Sequence, residues 1–236
     1  MHENKNEQPE GPLEPGLYIV GTPIGNLQDI TLRALDVLRR ADRIMAEDTR
    51  HSRKLLSHFD IHKPLTSCHK FNEAARVDMF RRLICAEGQA LAMVTDSGMP
   101  CISDPGARIV AVCREEEIPV TVIPGPSALT CAVALSGMVG KGFFFEGFLS
   151  NKGAARRNRL AKLSELDVPL VFFESPHRLL KMLADVEKVL GPRRTFVGRE
   201  LTKLFEEALS GTPGEIAAAF DSRKVKGECV VVVDAG

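Results

Sequence analysis

The chain has 236 residues, with 31 Lys plus Arg against 31 Asp plus Glu, so its formal charge is zero. That balance excludes a global basic field that would draw it to nucleic acid, and any polyanion site has to come from local clustering. Hydrophobic residues make up 44% and charged residues 26%, the composition of a globular chain long enough for one large or two modest cores.

Residues 1–15 are polar and rich in Glu, Asn and Pro. They lack the apolar stretch of a signal peptide, and a disordered tail is expected there. Leu17 to Val20 reads as a short strand closed by Gly21. Thr31 is placed to cap a helix running to Ala41, with Leu32, Leu35 and Leu38 on one face. Arg43 to Ala46 reads as a strand and Thr49 to His58 as a helix. Asn72 to Ala86 reads as a charged helix with Val77, Phe80, Leu83 and Ile84 inward. Ala90 to Val94 is an apolar strand. The long loop after it, Thr95 to Gly106, ends where Asp104 is expected to cap a helix with Pro105 at its first position and Ile109, Val112 and Cys113 inward. Val120 to Ile123 is a further strand and Pro126 to Leu135 an apolar helix. This alternation predicts a parallel or mostly parallel sheet.

Between Ser136 and Gly142 the pattern breaks, which sets the expected domains at 16–138 and 139–236. In the second, Phe143 to Phe148 and Leu170 to Phe173 read as strands. Lys152 to Leu163 is a basic helix. Ser175-Pro176 opens a helix with Leu179, Leu183, Val186 and Leu190 on one face. Thr195 to Val197 is a short strand. Thr212-Pro213-Gly214-Glu215 matches a capping box, and Cys229 to Val233 is a β-branched terminal strand. The expected class is α/β: two α/β domains with mostly parallel or mixed sheets.

Several chemistries are excluded by motif. No GxGxxG and no GxxxxGK[ST] is present, so neither a dinucleotide fingerprint nor a P-loop is expected. Gly125-Pro126-Ser127-Ala128-Leu129 lacks the second glycine of a nucleophile elbow. The six cysteines include no CxxC, which speaks against a zinc ribbon and for reduced thiols in a cytoplasmic protein. His58 and His62 have helical spacing, but no further ligand signature accompanies them. No apolar run reaches the length of a membrane span, so no membrane partner is expected.

Three Gly/Pro-rich loops remain, each following a strand and preceding a helix: Gly21 to Leu27, the Asp96 loop, and Pro124 to Ala128. Ligands of open α/β sheets bind at the carboxyl ends of strands. Together the loops could form one wall of a ligand site that works mainly through backbone groups.

These loops carry a resemblance. With Ala46-Glu47-Asp48-Thr49-Arg50, Glu146-Gly147-Phe148-Leu149, Phe173-Glu174-Ser175-Pro176-His177-Arg178 and Arg199-Glu200-Leu201-Thr202-Lys203, the chain from about Gly16 onward resembles the tetrapyrrole-methylase superfamily. Its members are S-adenosyl-L-methionine-dependent enzymes of two α/β domains, with the cofactor in the cleft between them. The likeness is closest to the branch that methylates a cytidine 2′-hydroxyl in the decoding region of 16S ribosomal RNA. That branch often continues into a small carboxyl-terminal helical region, which this sequence does not show.

The resemblance implies that Pro23, Asp96, Ser97, Gly98, Met99, Ile102, Ser127 and Ala128 hold the cofactor, with Phe173, Leu201 and Cys229 as looser counterparts in the second domain. It also implies a homodimer acting on 16S rRNA or the small ribosomal subunit. A ribose hydroxyl needs a base or strong orientation. Glu47, Asp48, Glu174, Glu200 and Lys203 are available, and Glu174 and Lys203 are the preferred catalytic candidates, with a structural ion pair as the alternative for each. For RNA contact, Lys152, Arg156, Arg157, Arg159 and Lys162 form a basic helix with no acid between 152 and 162. His177 and Arg178 stand at a helix start. Two other readings stay open: a tetrapyrrole C-methyltransferase of the same fold, and a non-catalytic RNA-binding module of ribosome assembly.

Overall fold

The fold is seen in a computed structural model, which describes residues 11–138, 140–221 and 225–236. Its contacts divide the chain into two units. Of the described residues, those from Gly11 to Pro23 and Leu27–Pro126 form the first, and Ile24–Asn26 with those from Ser127 onward form the second. The division falls at Pro126/Ser127, ahead of the expected 138/139, where residue 139 lies outside the described residues. The reason is the apolar helix after Pro126, which packs on the second sheet.

The first unit is built on strands β1 (Gly16–Val20), β2 (Arg43–Ala46), β3 (Leu65–Ser67), β4 (Ala90–Val94) and β5 (Val120–Ile123), in the order β3-β2-β4-β1-β5. Every pairing is parallel. Buried on both faces, such strands are apolar throughout, as β4 is in the sheet centre. Alternate residues feed two cores. Leu17, Ile19, Met45, Leu91 and Met93 meet Phe80, Leu83, Ile109 and Cys113 on one face. Val20, Ile44, Ala46, Ala92 and Val94 meet Ala34, Val37, Leu38 and Leu56 on the other. Helices α1 (Leu32–Arg40) and α2 (Thr49–His58) therefore cover one face. The opposite face carries α3 (Glu73–Arg81, prolonged by a π-helical turn over Arg82–Ala86) and α4 (Ala107–Glu115).

The expected cap at Thr31 holds: it accepts from the Ala34 amide at the start of α1. At the start of α2, Asp48 accepts from the Arg50 amide, a cap that the sequence reading did not name. Three details differ. Leu32 is 80% exposed, because the buried stripe of α1 runs through Ala34, Val37 and Leu38. Helix α4 starts at Ala107 behind Gly106, later than Asp104-Pro105 suggested. Strand β3, half-buried at the sheet edge, has too weak an apolar pattern to be read from sequence. Of the expected tail, residues 11–15 are held in place: Arg40 donates to the Gly11 carbonyl, Tyr18 to that of Glu14, and Leu13 packs on the core. Residues 1–10 lie outside the described residues.

The second unit carries β6 (Phe144–Phe148), β7 (Leu170–Glu174), β8 (Thr195–Arg199), β9 (Glu207–Gly211) and β10 (Cys229–Val233), in the order β6-β7-β10-β8-β9. β6 and β7 are parallel and the other pairings antiparallel. The β-branched β10 lies at the centre and is buried throughout. Helices α6 (Gly153–Leu163), α7 (Leu179–Leu190) and α8 (Pro213–Asp221) share one core with Leu170, Phe172, Val197 and Val231. Leu179, Leu183, Val186 and Leu190 are all buried, as their spacing predicts. At the start of α8 the capping box closes both ways: the Thr212 amide donates to Glu215, and the Glu215 amide to the Thr212 hydroxyl. Helix α5 (Ala128–Ser136) lies on the other face with Ile24, Val171, Phe196, Val230 and Val232. It ends on Gly137 in the left-handed region, φ 61°. Strand β9 was not foreseen, because Glu207–Gly211 holds no β-branched residue.

Candidate functional site

In the first unit β1 and β4 are neighbours whose exits lead to opposite faces of the sheet, to α1 on one and α4 on the other. Such a point opens a crevice at the carboxyl edge of a parallel sheet. Here the two exits are tied together. The Thr22 amide donates to the Gly98 carbonyl at 2.9 Å, and the Gly98 amide returns a bond to the Thr22 carbonyl at 3.2 Å. The Thr22 hydroxyl is buried within 3.3 Å of the Thr95 and Gly98 carbonyls.

The exit of β5 lies against the same place. A Cβ on Gly21 would come 2.7 Å from the Gly125 Cα and 2.6 Å from the Met99 sulfur. Only glycine permits this approach. Gly21, Thr22, Gly98, Met99 and Gly125 are thus brought together within one unit. Pro23 is buried beside them, Met99 is half-buried, and Ile102 is 43% exposed.

Asp96 is half-buried, and its Oδ1 accepts from the Asp48 amide at 3.2 Å. Beside it the Thr95 hydroxyl donates to Glu47 at 2.9 Å. The Ala46-to-Arg50 segment therefore stands at the same sheet edge as the Asp96 loop, because β2 is the other neighbour of β4. The carboxylate of Asp48 is turned to its own helix, where the Arg50 side chain and amide hold it well below the usual carboxylate range.

The second unit has its own edge. β6, β7 and β8 all run opposite to β10 or parallel to one that does, so their carboxyl ends coincide. Glu174, at the end of β7, is 2% exposed. Its Oε1 accepts from the Ser175 amide at 2.7 Å and its Oε2 from Arg178 at 3.2 Å. Burial pushes its pKa up despite these partners. Lys203 donates to Glu200 at 2.8 Å and Glu228 at 2.9 Å. Burial alone would lower its pKa, but the two carboxylates outweigh that and the net shift is upward. Lys203 is thus ion-paired in this structure, as the structural alternative kept open for it has it.

The remaining second-unit candidates separate by burial. Ser127 sits at the N-cap of α5 with no side-chain capping bond, and Ala128 packs against the core. Phe173 is half-buried, with the rings of Phe145 at 4.9 Å and Phe148 at 5.7 Å. Leu201 and Cys229 are buried, and burial pushes the Cys229 thiol up to about 12, so it acts as an apolar group.

Three arginines of the basic helix are ion-paired within the second unit. Arg156 is 5% exposed and donates to Asp185 of α7 at 2.7 Å, with a second nitrogen at 2.6 Å. Arg157 reaches the same carboxylate at 3.1 Å. Arg159 makes a bidentate pair with Glu146, both bonds 2.7 Å. The acids absent from 152–162 in sequence arrive from β6 and α7. Lys152, Lys162 and His177 remain exposed, and Arg178 is taken up by Glu174 and the Leu149 carbonyl.

Sequence reasoning missed two features of these edges. Glu73 accepts from the amides of Gly106, Arg108 and Ile109, a contact that no local pattern announces. The β8–β9 connection also exposes Leu204 by 90% and Phe205 by 68%, although Leu201-Thr202-Lys203 pointed to this region. Among the described residues no group of His, Cys, Asp and Glu is arranged to hold a metal ion, and no helix is long and apolar enough to cross a membrane.

A parallel sheet with tethered strand exits, followed by a mixed five-stranded unit, is the architecture of a methylase family. Residues 16–217 match the family described as Tetrapyrrole (Corrin/Porphyrin) Methylases, and the chain belongs to it. Solved structures with this fold include a diphthine synthase (TM-score 0.71, 15% identity, 92% of this chain and 89% of that one) and a cobalt precorrin-4 methyltransferase (TM-score 0.68, 16% identity, 92% and 94%).

Nearer in sequence are proteins named ribosomal RNA small subunit methyltransferase I. The Thermotoga maritima protein is 48% identical over 92% of this chain and 97% of its own length. The Xylella fastidiosa protein is 46% identical over 93% and 81%.

Proposed function

We propose that this chain transfers a methyl group from S-adenosyl-L-methionine to the ribose 2′-hydroxyl of a cytidine in the decoding region of 16S ribosomal RNA. The observation that carries the donor half is the pair of bonds between Thr22 and Gly98, which fixes two neighbouring strand exits at the carboxyl edge of a parallel sheet. The acceptor half rests on the relatives named for small-subunit rRNA, one of them 48% identical over 92% of the chain.

The residues fit such a donor. The bound cofactor supplies a methyl group already activated by its sulfonium. Asp96, anchored by the Asp48 amide, offers a carboxylate to a hydroxyl or to the positive end of the ligand. Gly98 brings its backbone close, and Ser97, Pro23, Met99 and Ile102 complete this part of the site. Ser127, Ala128, Phe173, Leu201 and Cys229 enter the proposal as cofactor contacts on the family resemblance alone.

In-line transfer requires that donor and hydroxyl be held in register. Glu174 and Lys203 serve that requirement rather than proton transfer. The first has both oxygens engaged, and the second is held protonated by Glu200 and Glu228. RNA contact falls to Lys152, Lys162 and His177, with Arg157 and Arg178 at its margin. The same reading makes the protein a cytoplasmic homodimer, which sedimentation of the purified chain would check.

The test is transfer of labelled methyl to unmodified small ribosomal subunits, with the product located by mass spectrometry. Label on a cytidine ribose of 16S rRNA is expected. Label on a uroporphyrinogen-like ring, with none on RNA, would replace this reading by tetrapyrrole methylation. Calorimetry showing no cofactor binding would leave only a non-catalytic RNA-binding module.

A further inference from the structure

The Asp96 loop is held at both ends, and the second clamp comes from outside the strand-exit loops. At the near end, Gly98 is bonded to Thr22. At the far end, Glu73, the first residue of α3, reaches across to the start of α4. Its Oε1 accepts from the amides of Gly106 at 3.2 Å, Arg108 at 2.9 Å and Ile109 at 3.2 Å. A helix start leaves its first amides without internal partners. Here Gly106, the N-cap residue, has no side chain to meet them, so a carboxylate from another helix does so.

The loop needs that clamp. Cys101 and Ser103 both sit in the left-handed region, φ 73° and 67°, where a side chain is disfavoured. Residues held this way persist only when the surroundings over-determine them. Inside the loop the Cys101 amide donates to the Pro105 carbonyl at 3.1 Å. A Cβ on Gly106 would strike the Met93 and Cys101 sulfurs at 2.6 Å and 2.8 Å, so this corner is filled. Glu73 is therefore bonded to the one place where the strained segment joins a rigid helix.

We infer that Glu73 is a positioning residue for the methyl donor: by fixing the amides of Gly106, Arg108 and Ile109 it holds the segment from Met99 to Pro105 in the shape that receives S-adenosyl-L-methionine. The inference rests on the proposed function and deepens it. Glu73 touches no donor atom in this account and acts through the loop. A glutamine retains an acceptor oxygen at the same reach, whereas alanine has none and aspartate is one methylene short.

The experiment measures donor affinity by calorimetry and RNA affinity by filter binding on the full chain and on Glu73→Gln, Glu73→Asp and Glu73→Ala, with thermal unfolding as the check on folding. Glu73→Ala and Glu73→Asp are expected to raise the donor Kd by about tenfold or more, and Glu73→Gln by about threefold or less, with RNA affinity unchanged. In steady state the loss should fall on the KM for the donor, with kcat at saturating donor retained. Unchanged donor affinity in a folded Glu73→Asp or Glu73→Ala would overturn the inference, as would a Glu73→Gln as weak as Glu73→Ala. Should Glu73→Ala fail to fold, the Asp and Gln pair still decides. A wild-type chain that binds no donor would instead remove the proposed function itself.

Discussion

Arg156 and Asp185 form an ion pair between α6 and α7 in which the side chains are only 6% and 11% exposed and the nitrogen–oxygen distance is 2.6 Å. A residue that reads as the centre of a phosphate-binding helix is thus a tie inside the second unit. Arg156 also donates to the Ser150 carbonyl at 3.3 Å, so its guanidinium joins three elements of chain.

Removing one partner of such a pair leaves the other charge buried. Arg156→Ala should lower unfolding free energy by about 3–5 kcal/mol. Arg157→Ala, at the exposed rim of the same carboxylate, should cost about 1 kcal/mol or less. Chemical denaturation of the two variants checks the ranking. Equal losses would mean that the pair is not buried in solution.

The RNA contact should instead depend on lysines. Replacing both Lys152 and Lys162 by alanine should leave stability within about 0.5 kcal/mol, since both are exposed. The slope of log K against log salt for RNA binding should fall by about 1–2. Donor binding should not change. Binding measured across a salt series decides, and an unchanged slope would place the phosphates elsewhere.

Gly21 and Gly125 test the architecture of the donor edge. A Cβ on Gly125 would lie 2.9 Å from the Gly21 Cα and 3.0 Å from its carbonyl oxygen, and both obstacles are backbone. Gly125→Ala should therefore destabilise by about 1–3 kcal/mol through overpacking and weaken donor binding with it. Gly140→Ala, whose added methyl meets nothing within 4 Å, is the control. Calorimetry that found Gly125→Ala equal to the control would separate these loops from the donor.

Glu174 predicts a pH effect. Burial raises its pKa above the ordinary value of 4.5, so the folded state binds this proton more tightly than the unfolded chain does. The stability this contributes is fully present below the unfolded pKa and is lost as pH rises through the folded one. The stability difference between wild type and Glu174→Gln should thus shift against wild type as pH climbs above about 4. Denaturation midpoints taken across that range check the sign, and a difference moving the other way would mean that Arg178 dominates over burial.

Sequence by itself determined the elements whose signals are local. The caps at Thr31 and Thr212, the buried stripe of α7 and the β-branched run of β10 are all legible, because each depends on neighbours a few residues away. The three glycine- and proline-rich exits were legible as loops for the same reason. Tertiary structure alone decided what those residues meet. Strand order brought Thr22 to Gly98 and Gly21 to Gly125, packing sent Asp185 and Glu146 to a helix that carries no acid of its own, and Glu73 became the cap of a helix it does not belong to. The physical reason is range: hydrogen-bonded turns and amphipathic periods are written within a few residues, whereas charge pairing and backbone approach depend on which distant segments the fold makes adjacent.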